Sequence, residues 1–189
     1  MCVLWSYQLQ LCVFFGDLTV HIAVQGQGLP ECQKIRGKEK AMIEVTNVDH
    51  LGIRVTNETG SIAFYEQLGF KVERRADGDT VTILRNSHGI ELNLVYNGVD
   101  STGGKNILMD VPEKHTGYTH MALNVGSISK ALYALREQNI AISQGPVSFG
   151  RSDAASVFIR DPDQNVIELR GNIAPGEQIE GLERYDPDA

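Results

Sequence analysis

No run of about 18 apolar residues occurs in the 189-residue sequence, which excludes a membrane-spanning helix. Cysteine is scarce. Cys2, Cys12 and Cys32 are the only three, with no CxxC spacing, which speaks against a disulfide framework and a thiolate zinc site. Basic residues are in deficit: 17 Lys and Arg against 24 Asp and Glu give a net charge of −7. With no Lys/Arg stripe, a nucleic-acid role is excluded, because phosphate contacts would supply most of that affinity. Any anion that binds must be held by a local positive group rather than steered from afar. What is present is ordinary globular material, 42% hydrophobic and 22% charged, in a chain long enough to bury a core without disulfides.

The first 41 residues differ from the rest. They hold all three cysteines and the single tryptophan, Trp5, and Met1 to Val24 is apolar without a helical or strand period. The segment has neither a positive start nor a continuous apolar stretch, so it does not read as a signal peptide. Met42-Ile43-Glu44-Val45 opens a well-patterned region, and Met42 is expected to be the functional start, with 1–41 an appendage or a misassigned start. Residues 42–171 are expected to form the domain and the acidic residues 172–189 a loose tail.

An internal repeat organises the domain. Asp49-His50-Leu51-Gly52-Ile53-Arg54-Val55 matches Thr119-His120-Met121-Ala122-Leu123-Asn124-Val125. Each segment precedes a helical pattern: Ile62, Tyr65 and Leu68 closed by Gly69, then Ile128, Ala131, Leu132 and Leu135 opened by Ser127. Each half ends in the same tripeptide, Ile90-Glu91-Leu92 and Ile167-Glu168-Leu169. The reading is strand, helix and three strands per half, in modules at about 46–97 and 117–171. The predicted helices lie near 59–68 and 127–138, and the predicted strands near 47–55, 70–75, 80–86, 89–96, 118–125, 140–144, 155–160 and 165–170. Residues 97–117 read as the linker.

Side chains alternate across a strand. His50, Gly52 and Arg54 therefore share one face and His120, Ala122 and Asn124 another; Glu91 lies with Asn93, and Glu168 with Arg170. In every case the opposite face is apolar and can take a helix. Two imidazoles and two carboxylates at equivalent positions of a repeat make a divalent metal site, and nitrogen and oxygen donors suit Ni, Co, Mn, Fe or Zn. His21, His88 and His115 lack this context.

These segments, with Phe64-Tyr65-Glu66-Gln67-Leu68-Gly69-Phe70, Gly117-Tyr118-Thr119-His120 and Asp161-Pro162-Asp163, make residues 46–171 resemble the vicinal oxygen chelate superfamily, bacterial glyoxalase I above all. The resemblance implies an α+β fold of two tandem βαβββ modules forming a curved mixed sheet around a metal. It implies His50, Glu91, His120 and Glu168 as ligands, nickel first among the metals. The implied activity is lactoylglutathione lyase: isomerisation of the methylglyoxal–glutathione hemithioacetal, with glutathione as co-substrate. Glu168 would be the base, Glu91 the second catalytic carboxylate, and Arg54 the group that holds a glutathione carboxylate. The family's glutathione-contacting asparagine falls at Val95, so Asn93 is expected to substitute, with Asn97 just beyond; Gln164 replaces the usual glycine after Asp163. A homodimer is implied, because family sites draw ligands from two subunits. The alternatives are another metalloenzyme on this frame (an epimerase, thiol transferase or dioxygenase) and a small-molecule-binding resistance protein. A thiol substrate and no signal place the expected activity in the cytoplasm.

Overall fold

The structure is a computed structural model that describes residues 11–12, 21–22, 42–150 and 153–186. It divides into two units, Met1–Asn47 and Val48–Ala189. In the first, β1 (Leu11–Cys12) pairs antiparallel with β2 (His21–Ile22). The rest of the expected 1–41 appendage, with Cys2, Trp5 and Cys32, lies outside the described residues.

The second unit repeats one order of elements. The first module is β3 (Leu51–Arg54), α1 (Glu58–Gln67), β4 (Phe70–Arg75), β5 (Val81–Asn86) and β6 (Glu91–Val95). The second is β7 (Met121–Ser127), α2 (Ile128–Glu137), β8 (Ile142–Ser148), β9 (Ala154–Arg160) and β10 (Val166–Asn172), followed by β11 (Glu183–Arg184). The sheets are ordered β3-β6-β5-β4 and β11-β8-β9-β10-β7, one per module. In each module the first and last strands run parallel, β3 with β6 and β7 with β10, so the ends of the repeat meet in the sheet. This is the α+β architecture of two βαβββ modules that the repeat predicts.

Local chemistry fixes the helices within a residue of expectation. Asn57 caps α1 by accepting from Gly60 N at 2.8 Å, and Ser127 caps α2 by accepting from Lys130 N at 3.4 Å. Gly69 ends α1 with φ +87°, a conformation costly for any residue with a Cβ. The predicted first strands begin later than expected, at Leu51 and Met121. In the first module the ladder starts only where β6 supplies a partner, Leu51 opposite Leu92. His50 and His120 thus stand just ahead of their strands.

The apolar faces of both modules are buried together. Tyr65, Leu84, Leu92 and Leu94 from the first module and Ile128, Val157, Ile159 and Ile167 from the second belong to one buried core. Full burial of each such side chain contributes roughly 1.5–3 kcal/mol. Gly171 lets α2 start directly on β10: a Cβ there would meet Ile128 N at 2.5 Å, at a bulge between Arg170 and Gly171. One polar tie crosses the modules inside the core, from Tyr65 Oη to Asp161 Oδ2 at 2.9 Å. Asp161 also accepts from Asp163 N, Asn165 N and Asn165 Nδ2. Burial pushes its carboxyl above the ordinary 3.8, against these donors.

One feature departs from the sequence reading. The acidic tail is not loose throughout: β11 pairs parallel with β8, and Tyr185 N donates to Ser148 O at 2.9 Å. Tyr185 also packs against Phe149, ring centroids 5.1 Å apart and tilted by 45°. That aromatic contact offsets the cost of ordering a short edge strand.

Gln164, where the family has glycine, holds φ +64°. A left-handed residue with a Cβ costs about 1–2 kcal/mol, partly offset by glycine's greater chain entropy. Gln164→Gly is therefore expected to stabilise the fold by up to about 1 kcal/mol, raising the thermal midpoint by about 2–4 °C. Differential scanning calorimetry checks this, and an unchanged or lowered midpoint refutes it.

Candidate functional site

The two carboxylates of the repeat have different neighbours. Glu168 is on β10, opposite Phe158 of β9 and beside Ala122 of β7. It is 8% exposed. Its Oε2 lies 3.1 Å from His120 Nε2, and its Oε1 accepts from Ser156 Oγ at 2.5 Å. Arg170 Nη1 stands 3.9 Å from the same Oε1 and 3.5 Å from Ser156 Oγ. Phe158 packs edge-on against the His120 ring at 5.7 Å. Glu91, at the start of β6, is gripped instead by Arg85 Nη2, its partner across the β5–β6 ladder. Arg85 also donates to Glu73 at 3.1 Å, and this bond, ahead of the nearby carboxylate charges, raises the guanidinium's pKa.

Both histidines are tethered in the same way. Thr119 Oγ1 lies 3.0 Å from His120 Nδ1, and Asp49 Oδ1 lies 2.7 Å from His50 Nδ1. In each case the preceding residue engages Nδ1, so that Nε2 is the nitrogen turned away from it, toward Glu168 in the case of His120. His50 extends the β3–β6 register to the level of Glu91, whereas His120 contacts Glu168 directly. Each module thus carries one imidazole and one carboxylate, and the donor chemistry fits a divalent metal. Among the described residues of one chain, no three His, Cys, Asp or Glu side chains converge to hold an ion. Of the four predicted residues His120 and Glu168 are in contact, while His50 and Glu91 are neighbours in strand register only.

The predicted substrate-binding residues lie on the first sheet. Arg54 Nη1 donates to Asn97 Oδ1, so the asparagine that the sequence placed just beyond the family position is the one that touches the arginine. Asn93 pairs in register with Gly52, and its Oδ1 is buried with no hydrogen-bond partner among the described residues. A buried acceptor without a partner is costly and stands ready for an amide or hydroxyl donor. Arg54, Gly52, Leu108, Tyr118 and His120 line a cavity of about 250 Å³.

Sequence reasoning missed Ser156 and Arg85, since neither has a partner recognisable without strand registers. It also missed how the linker is used. Met109 packs on Val147, Phe158 and Val166, Asn106 Nδ2 donates to Gln164 O at 3.1 Å, and Asp110 Oδ1 meets Arg160 Nη2 at 2.7 Å. The linker thereby covers part of the face that carries Glu168.

The bond from Asn106 N, and next the Arg160 guanidinium, hold the Asp110 carboxyl below its ordinary 3.8. The folded state thus releases this proton more readily than the unfolded chain. The resulting stabilisation is complete above pH 3.8 and disappears as pH falls through the folded value. Hydrogen exchange, corrected for intrinsic rates, is expected to show linker amides 106–110 losing protection in that window. Asp110→Asn should lose it already at neutral pH; protection equal to wild type there would contradict the pinning.

A sequence model of the Glyoxalase/Bleomycin resistance protein/Dioxygenase superfamily matches residues 47–169. Among solved structures, a glyoxalase/dioxygenase from Nostoc punctiforme superposes with a TM-score of 0.53 at 23% identity, over 70% of this chain and 99% of that one. A glyoxalase family protein from Bacillus cereus gives 0.52 at 17% identity, over 71% and 99%. A fosfomycin resistance protein from Listeria monocytogenes gives 0.52 at 10% identity, over 69% and 94%. No curated protein sequence matches the chain. Among the described residues, no helix is long and apolar enough to cross a membrane. The family model spans both modules of the repeat and both histidine–carboxylate pairs, and the chain belongs to the Glyoxalase/Bleomycin resistance protein/Dioxygenase superfamily.

Proposed function

We propose that the protein is a metal-dependent lyase that isomerises the hemithioacetal of methylglyoxal and glutathione to S-lactoylglutathione. The observation that carries this reading is the duplicated tether: Asp49 on His50 and Thr119 on His120 both hold Nδ1, with a carboxylate on the strand that completes each module. His50, Glu91, His120 and Glu168 would hold the ion, with nickel expected first and cobalt, manganese, iron or zinc as alternatives. When bound, it supplies Lewis-acid polarisation of the substrate oxygens.

The remaining work falls to the chain's own residues. Glu168 takes the proton from the carbon bearing sulfur and returns one to the neighbouring carbon, while the hydroxyl proton of the first carbon passes to the oxygen of the second. Its burial keeps bulk water from competing for that proton. Glu91 is the second carboxylate, held in place by Arg85. Arg54 offers its guanidinium to a glutathione carboxylate, a two-pronged geometry that suits that anion. Asn93 Oδ1 accepts from the substrate and Asn97 orients Arg54. Because no three of these side chains converge among the described residues of one chain, two copies would complete each site.

The test is thioester formation from the hemithioacetal by metal-free protein reloaded separately with nickel, cobalt, manganese and zinc. Turnover with at least one metal and none without is expected. Tight metal uptake with no turnover under any condition would move the assignment to another enzyme of the superfamily.

A further inference from the structure

We infer that Ser156 is a positioning residue for Glu168, fixing Oε1 of the carboxylate so that Oε2 alone is presented to His120 and the reacting atoms. This rests on the proposed role of Glu168 as the proton-transferring carboxylate.

The geometry leaves the serine proton one destination. Ser156 lies in the middle of β9 and is fully buried. Its register partner on β10 is Arg170, and Glu168 is two residues earlier on the same face, so the contact with Glu168 is diagonal. Arg170 Nη1 approaches Ser156 Oγ at 3.5 Å. A guanidinium has no acceptor, so the hydroxyl lone pairs face Arg170 and the O–H points to Glu168 Oε1, 2.5 Å away. Arg170 adds positive charge 3.9 Å from the same oxygen. One carboxylate oxygen is thus occupied by the serine donor, with the Arg170 charge nearby, and the other is left to His120 Nε2. A carboxylate used in this way cannot swing to bind through both oxygens. It keeps one orientation whether or not it lets go of an ion, which is what a group that alternates between ligand and base requires. A polar residue in the otherwise apolar run Ala154-Ala155-Ser156-Val157-Phe158-Ile159 is costly to bury without such a partner.

The test is a double-mutant cycle read in two ways. Nickel affinity is measured by calorimetry on metal-free wild type, Ser156→Ala, Glu168→Gln and the double variant. Ser156→Ala is expected to weaken nickel binding about tenfold alone, and to have no further effect in the Glu168→Gln background. In the hemithioacetal assay it should lower kcat by about tenfold with KM within about twofold. Ser156→Cys, which keeps the shape with a weaker donor, should move both quantities the same way by less, and covers the case in which the alanine variant misfolds. Equal weakening in both backgrounds, or no effect of either substitution, overturns the inference even where wild type turns over the substrate. Coupling in nickel affinity without wild-type turnover leaves Ser156 as the positioner of Glu168 and removes the lyase reading. A wild type that takes up no divalent metal overturns both.

Discussion

Glu168→Gln is expected to lower kcat for the hemithioacetal by about a thousandfold, within the range that a positioned acid–base group contributes. The substitution keeps the shape of the side chain. The amide oxygen can still accept from Ser156 Oγ, and the amide nitrogen takes the place of the Oε2 that faces His120 Nε2. What is lost is the charge that accepts a substrate proton. The loss should therefore fall on kcat rather than on KM, with the far-ultraviolet circular dichroism of the wild type retained. Glu91→Gln provides the contrast. Its carboxylate is bound to Arg85, which is itself shared with Glu73, so it is tied to the sheet more than aimed at a substrate. A loss of roughly tenfold is expected there, as for groups that tune a metal site. Rates for Glu168→Gln within tenfold of wild type would remove Glu168 from proton transfer.

Much of the frame was legible because it depends on short-range chemistry. The caps at Asn57 and Ser127 and the left-handed Gly69 fixed both helices, and two-residue alternation put Glu91 and Glu168 opposite Leu92 and Leu169. The start of β3 was not legible, because it depends on where β6 begins, forty residues later in the chain. Ser156 was not legible either. In the segment Ala154–Arg160 it reads as a small residue of a core strand, and its meaning comes only from the antiparallel register that brings Arg170 opposite. The linker shows the same limit. Gly103, Gly104 and Pro112 announce a turn-rich segment, but nothing local says that Asp110 finds Arg160 or that Met109 covers Phe158. The repeat also could not say whether its four donors meet. That is a matter of how modules associate, which alternation within a strand does not encode.

Mixing two inactive variants is expected to restore activity if that association joins two chains. Each module holds one pair, His50 with Glu91 or His120 with Glu168, and a complete set needs one pair of each kind. His50→Ala disables the first pair and Glu168→Gln the second. In a dimer whose sites each combine the first module of one copy with the second module of the other, a mixed dimer has one site carrying both lesions and one carrying none. Random exchange makes half the dimers mixed, so about a quarter of wild-type activity should return from two preparations that are each nearly inactive. Exchange is driven by partial denaturation and refolding of the mixture, with the metal added afterwards. A control mixture of His50→Ala with His120→Ala is expected to recover similarly, because those lesions also lie in different modules. His50→Ala with Glu91→Gln should gain nothing over the residual activity of Glu91→Gln itself, because both lesions fall in the same module and no undamaged first module remains. Recovery in the cross-module mixtures and none in the same-module mixture would place the site between chains. Failure of all three, with exchange verified by mass spectrometry of tagged copies, would require the two pairs to act within a single chain and would refute the shared site.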